Sequence, residues 1–200
     1  MHTTKQHLIE HGLGMLLEQG YTALGLQALL AAAQVPKGSF YHHFRDKEDF
    51  ALHVLDAYMV AVHATLDACV ADEARTPLDR IRRFFTEVQG SYAHEGYLGC
   101  LIGGLGQELS GVSPVFAAKI DGCLGAIAEG LATCLEAAKA EGTLSADADT
   151  RAMADLIVDC WEGAALRSRL RRDPAPLATM LDFCLGALVD KQEPHVMRHS

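Results

Sequence analysis

The stretch Gln34–Phe50, QVPKGSFYHHFRDKEDF, concentrates the side chains best suited to gripping a polyanion. Lys37, Ser39, Tyr41, His42, His43 and Lys47 supply ammonium, hydroxyl and imidazole donors, the groups that hold phosphate oxygens. Lysine also donates to the guanine acceptors of a major groove, and serine is permissive there. Gly38, between Lys37 and Ser39, has no side chain to hold the backbone away from a partner surface. A different chemistry is offered by Cys100, in the glycine-rich segment GCLIGGLG. A thiol attacks electrophiles and oxidants as its thiolate, and a helix N-terminus stabilises that anion.

These groups need rigid elements to aim them. Leu26–Ala33 (LQALLAAA) predicts a short helix, and Lys37–Phe44 predicts another that begins just after Pro36. Phe40 and Phe44 are four residues apart, which gives the second helix one inward face. A short helix, a tight turn and a second short helix make a helix-turn-helix, whose second helix enters the major groove with its N-terminal residues, here Lys37 and Ser39, at the base edges. Upstream, Thr4–Gln19 carries Leu8, Ile9, Leu13, Leu16 and Leu17 at helical spacing, and Gly20 stops it. Downstream, Asp46 is a natural N-cap for a helix from Lys47 to Ala71, with Glu48 and Asp49 favourable in its first turn.

The remainder also reads as helix. Leu78–Ala93 has an apolar side, His94–Gly99 is a break, and Cys100–Leu109 is apolar but rich in glycine. Ser113–Pro114 opens a long helix in which Phe116, Ile120, Leu124, Ile127, Leu131 and Leu135 recur every three or four residues until Gly142. Asp147–Leu170 and Pro176–Val189 are the last two. No strand pattern and no repeat interrupts this series, so the fold class is all-α.

Composition bounds the function. The chain has 200 residues, of which 50% are apolar and 22% charged, a globular balance. It has no apolar run of the ~18 residues a membrane span needs and no signal peptide, which places it in the cytoplasm. Net charge is −9. Residues 1–50 hold four lysines and arginines against five aspartates and glutamates, whereas the rest hold thirteen against twenty-one. The acidic excess therefore lies mostly outside the helix-turn-helix. That argues against indiscriminate nucleic-acid binding, not against a dimer with two locally suited faces. The six cysteines form no CxxC pair and have no export signal to favour disulfides, so all but Cys100 read as small buried hydrophobes.

Other candidates are weaker. The glycines from Gly99 to Gly106 follow no strand and precede no Gly-Lys-Ser/Thr, which excludes a phosphate loop. His94 and Cys100 are too few to hold a metal, and the residues ask for no cofactor. No catalytic constellation accompanies the motif, so the chain is not expected to be an enzyme. Trp161 reads as a core or interface anchor and alternatively as a pocket wall. Arg167, Arg169, Arg171 and Arg172 read as a solvated face or as cross-subunit ion pairs; Arg167 or Arg169, if turned inward, would instead partner the Cys100 thiolate or a ligand carboxylate.

Over Leu8–Phe50, and most closely over VPKGSFYHHFRDKEDF, the chain resembles the TetR family of bacterial transcriptional regulators. The resemblance implies a helix-turn-helix domain at residues 1–46, a helical ligand-binding and dimerisation domain at 47–190, and a loose tail at 191–200. It implies a homodimer joined through the last two long helices, a palindromic double-stranded DNA operator, and a small-molecule inducer. Tyr41, His42 and Lys47 become phosphate contacts by the same analogy. Many relatives have Thr–Ser before the second helix; here Leu24 and Gly25 stand there, leaving Thr22 as the nearby hydroxyl. A narrower resemblance runs through Gly99–Gly103, Glu108, Ser113–Pro114, Trp161–Ala164 and Arg167 to the branch that includes repressors responsive to N-ethylmaleimide and acrylate. It implies that Cys100 reports on electrophiles. Two alternatives stay open: the same repressor released by a reversible hydrophobic ligand, and a helical binding protein or enzyme with a vestigial head.

Overall fold

The computed structural model describes residues 3–94, 96 and 99–190, so the expected loose tail lies outside the described residues. Among these, nine helices and no strands are found. They are α1 (Thr4–Ala23), α2 (Leu26–Ala32), α3 (Lys37–His43), α4 (Lys47–Val70), α5 (Pro77–His94), α6 (Leu101–Leu109), α7 (Pro114–Ala140), α8 (Thr150–Arg171) and α9 (Ala175–Asp190).

The caps show why the helices begin where they do. Thr3 and Gln6 form a reciprocal capping box at α1: the Gln6 N–H donates to Thr3 Oγ1 at 3.2 Å and the Thr3 N–H to Gln6 Oε1 at 2.9 Å. The Asp49 N–H donates to Asp46 Oδ1 at 2.8 Å, as expected for the start of α4. Ser113 Oγ accepts the Phe116 N–H at the start of α7. α8 starts at Thr150 rather than Asp147, because Asp149 is the residue whose carboxylate accepts the Ala152 N–H. Gly20 does not simply end α1. It adopts φ 78°, ψ 177°, and Tyr21–Ala23 follow as one further turn.

The chain divides into two compact units. Among the described residues, the first comprises residues 3–64 and 99–124, the second residues 65–94, 96 and 125–190. In the first, α1 packs against α2, α3 and α6. Its core contains Leu8, Leu29, Phe40, Phe50 and Leu105, all at most 1% exposed. A side chain at Gly12 would place a Cβ 2.3 Å from the Phe50 ring, so this glycine permits the close approach of α1 to α4. In the second unit α9 packs on α8 and α5. Phe85 and Trp161 stack there with ring centroids 4.4 Å apart, and the Arg82 guanidinium pairs with the Asp182 carboxylate.

Candidate nucleic-acid interface and sensor segment

α3 is held from behind by aromatic packing. Phe40 is fully buried, and its ring lies 5.2 Å from that of Phe44 and 5.5 Å from that of Phe50. The expected inward face is therefore present. On the other side Lys37, Gly38, Tyr41 and His42 are exposed, while Ser39 and His43 are half-buried. A Cβ built at Gly38 meets nothing within 4 Å, so no contact within the chain accounts for that glycine.

Local bonds fix the turn that sets α3 against α2. Gln34 takes a left-handed φ of 54°, and the Val35 N–H donates to the Leu30 carbonyl at 3.0 Å. His7 Nε2 donates to the Ala33 carbonyl at 3.0 Å, tying α1 to the end of α2. α2 itself starts at Gly25 with no side-chain cap, and Thr22 nearby is exposed. The acidic residues around the start of α4 are occupied internally. Asp49 accepts both the Arg45 N–H at 3.0 Å and its guanidinium at 3.1 Å. The Arg45 N–H, aided by the guanidinium, holds the Asp49 carboxyl below the usual carboxylate range. This leaves less free negative charge beside the cationic face of α3.

Lys47 is half-buried, with its ammonium 4.4 Å over the Tyr21 ring. Burial pulls its ammonium below the ordinary lysine value, while the Glu108 carboxylate opposes that shift. Glu108 is the residue whose importance sequence reasoning did not capture. It lies near the end of α6, and its carboxylate accepts the Tyr21 N–H at 3.1 Å and the Thr22 N–H at 2.8 Å. These amides open the last turn of α1, so Glu108 caps it from a distant part of the chain. A Cβ at Gly20 would sit 2.0 Å from Glu108 Oε1, and the backbone conformation there is essentially restricted to glycine. A second tie links Ser113 Oγ, which donates to the Glu48 carboxylate at 2.8 Å, to α4.

Cys100 is the N-cap residue of α6 and is 9% exposed. Gly99 before it takes φ 90°, and a Cβ at Gly104 meets nothing within 4 Å. Cys100 thus begins the helix that Glu108 fastens to the head, and both lie in the first unit. Trp161 and Arg167 lie in the second unit, so the structure does not bring the three expected ligand-site residues into one unit. Trp161 is 3% exposed and its Nε1 donates to Tyr92 Oη at 3.5 Å, a core role. Arg167 is exposed and does not turn inward. Buried His63 Nε2 on α4 has no hydrogen-bond partner among the described residues.

Residues 8–54 match the model of bacterial regulatory proteins of the tetR family, and residues 77–183 match the tetracyclin repressor-like C-terminal domain. The chain belongs to the TetR family. This TetR-family regulator is 42% identical to the transcriptional regulator AcuR of Cereibacter sphaeroides over 86% of its own length and 79% of that protein. It is 31% identical to the transcriptional repressor DhaR of Mycobacterium sp. strain GP1, over 94% of each chain. Among solved structures, a regulatory protein TetR from Rhodobacter sphaeroides superposes with a TM-score of 0.87 at 39% identity, over 92% of this chain and 98% of that one. The reduced form of Escherichia coli NemR gives 0.82 at 28% identity, over 94% and 97%. The all-α fold and the helix-turn-helix head are those of a DNA-binding transcriptional regulator. No helix among the described residues is long and apolar enough to cross a membrane.

Proposed function

We propose that this regulator is a homodimeric repressor of a palindromic operator, released when an electrophile modifies Cys100. The observation that carries the reading is the linkage of Cys100, through α6, to Glu108 and the end of α1. Lys37, Gly38 and Ser39 meet the groove, and Thr22, Tyr41, His42, His43 and Lys47 face or frame the phosphates. Each head reads one half-site, so the half-sites are about 34–36 Å apart or a multiple of that. The exposed apolar side chains of α8 and α9 support a dimer through those helices: Leu156, Leu166, Leu170 and Phe183 are 60%, 42%, 70% and 75% exposed.

The Cys100 thiolate adds to the β-carbon of an α,β-unsaturated carbonyl, and the α-carbon takes the proton. The adduct enlarges the start of α6. The displaced helix draws the Glu108 carboxylate from Tyr21 and Thr22, and the heads leave the spacing that fits the operator. An inducer acts in this way only by favouring the released shape over the bound one. The test is operator binding by gel retardation before and after N-ethylmaleimide. Release of the wild type and retention by Cys100→Ser are expected; release of both variants alike removes Cys100 from the mechanism.

The unpartnered His63 Nε2 favours a second reading, in which a reversible ligand with a polar group meets that nitrogen and Cys100 only lines its site. Mass spectrometry after mild electrophile treatment separates the two, since a covalent mark on Cys100 favours the first.

A further inference from the structure

Cysteines Cys160 and Cys184 show a feature their sequence spacing hides. α8 and α9 form a hairpin closed at Arg172–Pro174, where the Ser168 hydroxyl and the Ala175 N–H are both tied to Asp173. Cys160 is eleven residues before the end of α8, and Cys184 is nine after the start of α9. At 1.5 Å per residue both lie about 14–17 Å from the turn, and so at one level of the hairpin. Both are half-buried in the single chain, at the border between the core positions Trp161 and Leu185 and Phe183, which is exposed in the single chain and covered in the proposed dimer. Their side chains interact directly; burial, and then the adjacent Cys160, push the Cys184 thiol up.

We infer that Cys160 and Cys184 form an oxidisable dithiol that closes reversibly into a disulfide linking α8 to α9 within one chain. A hydroperoxide supplies the oxidising equivalents. One thiolate attacks the peroxide oxygen, giving a sulfenic acid and releasing water or an alcohol; the second thiolate attacks that sulfur and expels water. The dithiol loses two electrons and two protons, and a small-molecule thiol restores it. Disulfides in reducing compartments are of this transient, sensing kind. Cys69 and Cys134 provide an internal contrast. They are 1% and 2% exposed and shielded from oxidant.

This inference does not depend on operator binding or on Cys100. The full-length reduced protein is treated with hydrogen peroxide, quenched by alkylation, and analysed by intact mass and peptide mapping. The expected result is an intrachain species carrying two alkyl groups fewer than the alkylated reduced protein, with the Cys160 and Cys184 peptides joined and both thiols alkylated once dithiothreitol has been applied. The species persists in Cys100→Ser and disappears in both Cys160→Ser and Cys184→Ser, each checked for native helicity. Full alkylation of Cys160 and Cys184 after peroxide, or their linkage to another chain, overturns the inference.

Discussion

Removing the Glu108 carboxylate tests the junction between α6 and the DNA-binding head. It accepts two backbone N–H donors, at 3.1 and 2.8 Å. A hydrogen bond to a charged group contributes about 1.5–3 kcal/mol, but water replaces part of the bond at the exposed Thr22 amide, so Glu108→Ala should cost about 2–3 kcal/mol. For a chain of this length that lowers Tm by about 4–12 °C. Glu108→Gln keeps an acceptor oxygen and should cost about half as much. Gly20→Ala makes the reasoning sharper. Its new Cβ, 2.0 Å from Oε1, displaces a carboxylate that is pinned by those same two bonds, and the backbone at φ 78° adds about 1–3 kcal/mol of strain. The two substitutions therefore share one loss. The double variant should be more stable than the sum of the singles implies, by about 2 kcal/mol. Urea unfolding followed by circular dichroism measures the cycle, and gel retardation shows whether operator affinity falls with it. Strict additivity, or a Glu108→Ala Tm within about 1 °C of wild type, refutes the idea that this carboxylate holds the end of α1.

Three further outcomes follow from the same geometry. Lys37→Ala should cost about 1–3 kcal/mol of operator binding per head and relax base preference at one half-site position, read by fluorescence anisotropy across operator variants. Phe183→Asp should convert the proposed dimer to monomer in sedimentation, because each copy forfeits about 1.5–3 kcal/mol of apolar burial and the two-fold doubles it. Because the folded-state value of the Asp49 carboxyl is depressed, its stabilisation is complete above the unfolded value of about 3.9 and is lost as pH falls through the native value. Acid unfolding of wild type should therefore steepen below about pH 4 relative to Asp49→Asn.

The sequence by itself determined what local physics governs. Apolar periodicity placed the helices, and Asp46, Ser113 and Gly20 marked their ends to within a few residues, because a cap or a break acts over three or four positions. The spacing of Phe40 and Phe44 was enough to separate the inner face of α3 from the outer one. The head was legible for that reason: its elements contact their neighbours in the chain. Tertiary structure alone decided the rest. Glu108 reaches amides 87 and 86 positions away, a pairing that no local pattern encodes. The family resemblance implies a division at residue 46, whereas compactness follows contacts, and among the described residues these group residues 99–124, with Cys100, alongside the head. Cys160 and Cys184 read as separate buried hydrophobes until an antiparallel hairpin set them at one level. Side-chain partnership depends on how helices pack, and packing is settled by the whole core rather than by any single segment.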